Sequence, residues 1–145
     1  MAEETMNMLM NLEMIHEKLG EELRKVHEKY GNKGINIAEK LLDTIIEKYS
    51  DIIKETAIHA GFKIRAIWGL IDVDEYGLPY ITITLYDPTV KSLEEEETIE
   101  KYSNFITKLS ESGDKFLEEL VDNPYITLTI NNIPPPKIRY FSQDR

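Results

Sequence analysis

Five methionines stand within the first fourteen residues, at Met1, Met6, Met8, Met10 and Met14. Thioethers are soft donors, so a Met-x-Met-x-Met run could hold Cu(I). On a helix, however, Met6, Met8 and Met10 spread around the axis and do not converge. Packing against an apolar neighbour is the expected use. The three histidines are His16, His27 and His59. His16 and His27 share a helix face but stand about 16 Å apart at 1.5 Å per residue, too far to ligate one ion. His16 with Glu13 or Glu17 is a weak surface alternative, and solvated or partly packed histidines are expected.

Asp72, Asp74 and Glu75 gather near a turn signal. Paired carboxylates can move protons or hold Mg²⁺, so a small metal-dependent enzyme using these acids is the catalytic alternative. Asp72 and Asp74 lean toward the exposed face beside the turn, where acids are common. Asp87 cannot join them, because it lies about 17 Å along the next strand from Thr82. No glycine-rich phosphate loop and no Ser-His-Asp set stands out. Cysteine is absent, which removes disulfides, thiolate metal sites and thiol nucleophiles. The balance leans away from an enzyme, with no catalytic residue, cofactor or metal site assigned.

Charge carries more information. The net charge is −10, and residues 92–122 alone hold ten acids against three bases. Glu94, Glu95, Glu96, Glu97 and Glu100 form the densest part, followed by Glu111, Asp114, Glu118 and Glu119. A solvated first helical turn explains such a run, since the helix dipole favours acids there. The functional alternative is an acidic inhibitor or nucleic-acid mimic that engages a basic channel of a host enzyme such as a polymerase or nuclease. Direct nucleic-acid binding is disfavoured, because this field repels phosphates.

The elements that position these groups follow from periodicity. Met8, Leu12, Ile15, Leu19, Leu23, Val26 and Tyr30 make one helical stripe, which Gly31 and Gly34 are expected to close. Asn36 and Glu39 then read as a capping box for a second helix that ends at Gly61. Its apolar face runs through Leu41, Leu42, Ile45, Ile46, Tyr49, Ile52, Ile53, Ala57 and Ala60. A short connection makes the two an antiparallel hairpin. Residues 63–74 and 79–86 form a β-hairpin around Tyr76-Gly77-Leu78-Pro79. Ser92 and Glu95 form a capping box that opens an acidic helix, with Gly113 marking a break or a close contact. A strand from Tyr125 to Ile130 follows, and prolines 134–136 precede a short last strand around Ile138–Phe141. The fold class expected is α+β: a helical hairpin, then a ββαββ unit with a mostly antiparallel sheet and helices on at least one face. One domain spans residues 1–145, with residues 1–34 as a first helix that can serve as a protruding or partner-contacting arm.

Alternation sends Ile81, Ile83, Leu85, Ile126, Leu128 and Ile130 to one sheet face. Tyr80, Thr82, Thr84, Tyr86, Tyr125, Thr127 and Thr129 take the other. Pairing Asp72 with Thr82 keeps the carboxylate out of the core and centres the loop on Gly77. Ile67, Ile71 and Val73 then join the core face, while Ile64, Ala66, Trp68 and Leu70 join the Tyr/Thr face, with Trp68 opposite Tyr86. That second face is too apolar to be freely solvated. Either the first helix covers it or a partner docks there, a second copy or another protein. The leading expectation is a non-enzymatic interaction or assembly protein, a homodimer that uses Trp68, Leu70, Tyr80, Tyr86 and Tyr125.

At 145 residues the chain suits a single core, and no apolar run reaches the ~20 residues of a membrane span. The acidic N-terminus does not read as a secretory signal, so the cytoplasm (a host's, if the chain is viral) is expected. Nineteen isoleucines, a single glutamine and abundant Lys and Glu match thermophile composition, pointing to a thermophilic archaeon or its virus.

Overall fold

The computed structural model describes residues 2–19, 23–74, 79–92, 94–135 and 141–144, with side chains at all of these but residues 2, 15–19, 23–34 and 141–144. The elements run α1 (Ala2–Leu19), α2 (Leu23–His59), β1 (Ala66–Val73), β2 (Pro79–Tyr86), α3 (Glu96–Ser110), α4 (Lys115–Asp122), β3 (Ile126–Asn131) and β4 (Phe141–Asp144). The class is α+β.

The first correction concerns the helices. Helix α1 stops at Leu19, and α2 runs unbroken through Gly31, Gly34 and Asn36 for 37 residues. It is therefore about 55 Å long. Neither the glycine pair nor the Asn36 capping box forms a terminus. Glycine costs only about 1 kcal/mol relative to alanine inside a helix, too little to break one that gains tertiary contacts at its far end. The hydroxyls of Thr44 and Thr56 bond back to the carbonyls of Lys40 and Ile52, at 2.8 and 2.6 Å, and so do not compete with the helix ladder. At the C-terminus the expectation holds. Gly61 takes φ +112°, while Gly61 N–H bonds the Ile58 carbonyl and Phe62 N–H that of Ala57. That pair is a Schellman closure, and it needs a residue without Cβ at Gly61.

The sheet order is β3-β2-β1-β4. Strands β1 and β2 pair antiparallel, β2 and β3 parallel, and β4 adds antiparallel to the outer side of β1. The sheet is thus mixed, and the mostly antiparallel expectation is met only in part. Two helices, α3 and α4, span the crossover from β2 to β3, where the sequence reading placed one. Glu111 is the C-cap residue of the first, Gly113 turns the chain between them at φ +84°, and the Asp114 carboxylate caps the second through Phe116 N–H (2.8 Å) and Leu117 N–H (3.3 Å). Ser92 and Glu95 also differ from expectation. Ser92 Oγ accepts the Glu94 N–H, and Glu95 is the N-cap residue without a side-chain cap bond. Strand β4 begins at Phe141, and the part of the last expected strand before it lies outside the described residues.

The hairpin register is displaced by two residues from the expected one. Asp72 faces Tyr80, Trp68 faces Thr84 and Ala66 faces Tyr86. The displacement is even, so every side chain within the strands keeps its face. Two positions still depart. Ile64 is buried in the core, because the strand starts only at Ala66 and alternation does not reach it. Val73 is 54% exposed, since it is the last residue of β1 to pair, opposite Pro79 and past the helix layer.

Helices and sheet share one core on the first face, built from Leu41, Leu42, Ile45 and Ile53 of α2 against Ile67, Ile81, Ile83, Leu85, Leu128 and Ile130. Phe105, Leu109, Phe116, Leu117 and Leu120 close it from α3 and α4. Gly69 sets the closeness of α2 to the sheet, for a Cβ there would stand 2.6 Å from Leu42 Cδ1. Helix α1 lies on this same side. Its Leu9 and Leu12 enter the core, and Glu13 Oε1 accepts from Asn123 Nδ2 at 2.8 Å.

Candidate interaction surfaces

The expected contact patch divides into two halves. Ala66, Trp68 and Thr84 are buried within the single chain, Trp68 at 7% exposure. Strands β2 and β4 flank Trp68 on either side, with Thr84 and Ser142 as its register partners. Strands β3 and β4 stand at opposite edges of the sheet, and the helices fill the first face. Helix α1 does not supply the cover. The other half stays open: Leu70, Tyr80, Thr82 and Tyr125 are half-buried, and Thr127 is exposed. The rings of Tyr80 and Tyr125 lie 6.0 Å apart in a tilted pair, a consequence of the parallel register that aligns Ile81 with Ile126. Tyr86 is half-buried at the opposite end, beside Ala66.

Helix α3 carries the acidic set. Glu94, Glu95, Glu96, Glu97 and Glu100 are all exposed, and Lys101 Nζ reaches Glu97 Oε1 at 3.3 Å. Asp114 has a separate task, as the cap of α4.

The third feature is a cleft of about 260 Å³ between α3, the end of α4 and the outer edge of β3. Tyr102, Ile106, Leu120, Val121, Ile126 and Leu128 line it, together with Pro124 and the polar Asn123 and Thr127. Tyr102 Oη–H donates to the Leu128 carbonyl at 2.6 Å, and burial raises the phenol pKa above its ordinary value.

The remaining candidates are placed apart. Asp72 is exposed and Asp74 half-buried, while Glu75 lies outside the described residues. Met10 and Met14 are exposed on α1, at 58% and 44%, and His59 is exposed at the end of α2. The side chains of His16 and His27 lie outside the described residues. Among the described residues, no group of three His, Asp or Glu could hold a metal ion.

Two buried polar residues escaped the sequence reading. Asp87 takes three hydrogen bonds on its carboxylate: Lys63 N–H on Oδ2 (2.8 Å), and Thr89 N–H (2.8 Å) and Oγ1–H (2.6 Å) on Oδ1. It thereby ties the end of β2 to the loop entering β1. An Asp-Pro-Thr sequence after a strand was the available signal, since a short acid can bond the backbone two residues on. Lys54 is 1% exposed, with Nζ 3.8 Å from Asp51 Oδ1. Its place one turn beyond buried Ser50 is the only hint that the buried face of α2 is this broad. No helix is long and apolar enough to cross a membrane among the described residues. No family model matches the chain, and no curated protein or solved structure is similar to it.

Proposed function

We propose that this chain is a non-enzymatic interaction or assembly protein that forms a homodimer through the open half of its second sheet face. The observation that carries the reading is Leu70, Tyr80 and Tyr125 standing half-buried on one sheet face, beside the buried Ala66, Trp68 and Thr84. Aromatic and aliphatic side chains on a rigid strand surface lose little entropy on docking and supply large contact area. Trp68, buried on the same face two residues before Leu70, borders this patch without being exposed in it. In a two-fold dimer the same face of each copy would meet its counterpart.

Light scattering over a range of concentrations tests this. A mass near twice the 16.9 kDa of one chain is expected. Leu70→Asp and Tyr125→Asp should each return it to one chain without altering the helical spectrum. A single-chain mass at every concentration would overturn the proposal.

A second reading rests on the five exposed carboxylates of residues 94–100: an acidic inhibitor or nucleic-acid mimic for a basic channel of a host polymerase or nuclease. Salt-sensitive inhibition of such an enzyme, lost on Glu96→Lys with Glu100→Lys, would support it. Unchanged inhibition in that variant would count against it.

A further inference from the structure

The free edge of the sheet carries an inference beyond the dimer, with another surface and a partner of different chemistry. In the parallel pair, Ile81 N–H bonds the Tyr125 carbonyl at 2.9 Å, and Asp87 N–H bonds that of Asn131 at 2.8 Å. This turns the backbone groups of odd-numbered β3 residues toward β2. Those of Leu128 and Ile130 therefore point outward, and among the described residues no strand pairs beyond β3. Tyr102 holds one of these groups, the Leu128 carbonyl.

Beside this edge lies the cleft, floored by apolar side chains from α3 and α4. Tyr102 and Ile106 line it from α3, and Ile99, 52% exposed, extends their helical stripe by one turn. The charges that border it have one sign. Glu95 and Glu96 adjoin the stripe at the start of α3, with Glu100 one turn on, and Glu118 and Asp122 adjoin Val121 on α4. Strand β3 and the Asn123–Tyr125 turn carry no charge. The lysines of α3 occupy another side of the helix; Lys101 lies over Gly61, at the end of α2.

We infer that the outer edge of β3, with its apolar cleft and acidic rim, docks an extended basic peptide as an added strand. Main-chain bonds to Leu128 and Ile130 give the register, alternate apolar side chains enter the cleft, and basic ones meet the rim. A second copy is the wrong occupant of this edge, because a β3–β3 two-fold would set one acidic wall against another.

The test uses the full chain and a fluorescein-labelled peptide of four Lys-Val repeats, with a Glu-Val peptide as control. Anisotropy should show binding of the first alone, weakening as salt rises. The largest amide shifts should fall at Leu128 and Ile130. Glu96→Lys with Glu100→Lys, both exposed, should weaken binding by about tenfold or more while the far-ultraviolet circular dichroism stays that of the folded chain. Leu70→Asp should leave it unchanged, separating this site from the dimer face. Equal binding of the acidic peptide, shifts centred away from β3, or no binding at millimolar peptide would each overturn the inference.

Discussion

Replacing Asp87 should expose how much of the fold hangs on one carboxylate. It is 1% exposed and accepts from two backbone N–H groups and one hydroxyl. In Asp87→Ala the Lys63 and Thr89 amides lose their acceptor together. A hydrogen bond to a charged acceptor contributes roughly 1.5–3 kcal/mol, and water can replace part of it near the exposed Thr89. The expected loss is about 3 kcal/mol, roughly a hundredfold in the folding equilibrium. Asp87→Asn keeps one oxygen but turns an NH₂ toward a donor, so one arm survives and the loss should be about half as large. Urea unfolding followed by the fluorescence of Trp68, the single tryptophan, measures both. The midpoint should fall with an unchanged slope. A loss below about 0.5 kcal/mol for Asp87→Ala would refute the view that this carboxylate holds the β1 entry to the end of β2.

Three further outcomes follow from packing and titration. Gly69→Ala places a methyl against Leu42 in a filled core and should cost about 1–3 kcal/mol in the same assay; a neutral result would mean that α2 can lift off the sheet. Tyr102 has a phenol pKa raised by burial, so its contribution is present below the unfolded value near 10 and is lost as pH climbs through the higher folded value. Stability should therefore fall above about pH 10, and Tyr102→Phe, costing about 1 kcal/mol at neutral pH, should flatten that fall. Emission from Trp68 should be blue-shifted and resist acrylamide; a solvent-like spectrum would contradict its burial between β2 and β4.

The legible parts of the fold were those where one period ran uninterrupted. The apolar stripe of α2 from Leu41 to Ala57 is the buried stripe in the structure except at Ile52, which is 42% exposed, and the alternation of β2 and β3 sorted their faces correctly. Helix ends were harder to read. Gly31 and Gly34 look like Gly61 in sequence, but only tertiary contact decides which glycine a helix runs through. Register was wrong by two because alternation is blind to an even displacement, and Asp72 avoids the core equally well opposite Thr82 or Tyr80. Half of the proposed contact patch was legible for the same reason. Leu70, Tyr80 and Tyr125 were placed on their face by alternation, whereas the burial of Trp68 in a central strand, between β2 and β4, depends on strand order. The free edge of β3 could not be read at all, since strand order is a property of the whole sheet.

The central claim is that two copies meet through the open half of the second face. Isotope-filtered NMR on a mixture of ¹³C-labelled and unlabelled chain tests it most directly. The account expects cross-peaks between copies from the Leu70 methyls to the rings of Tyr80 or Tyr125. If the chain is dimeric by scattering yet the only such cross-peaks come from the Met10 and Met14 methyls of α1, the sheet-face contact is contradicted.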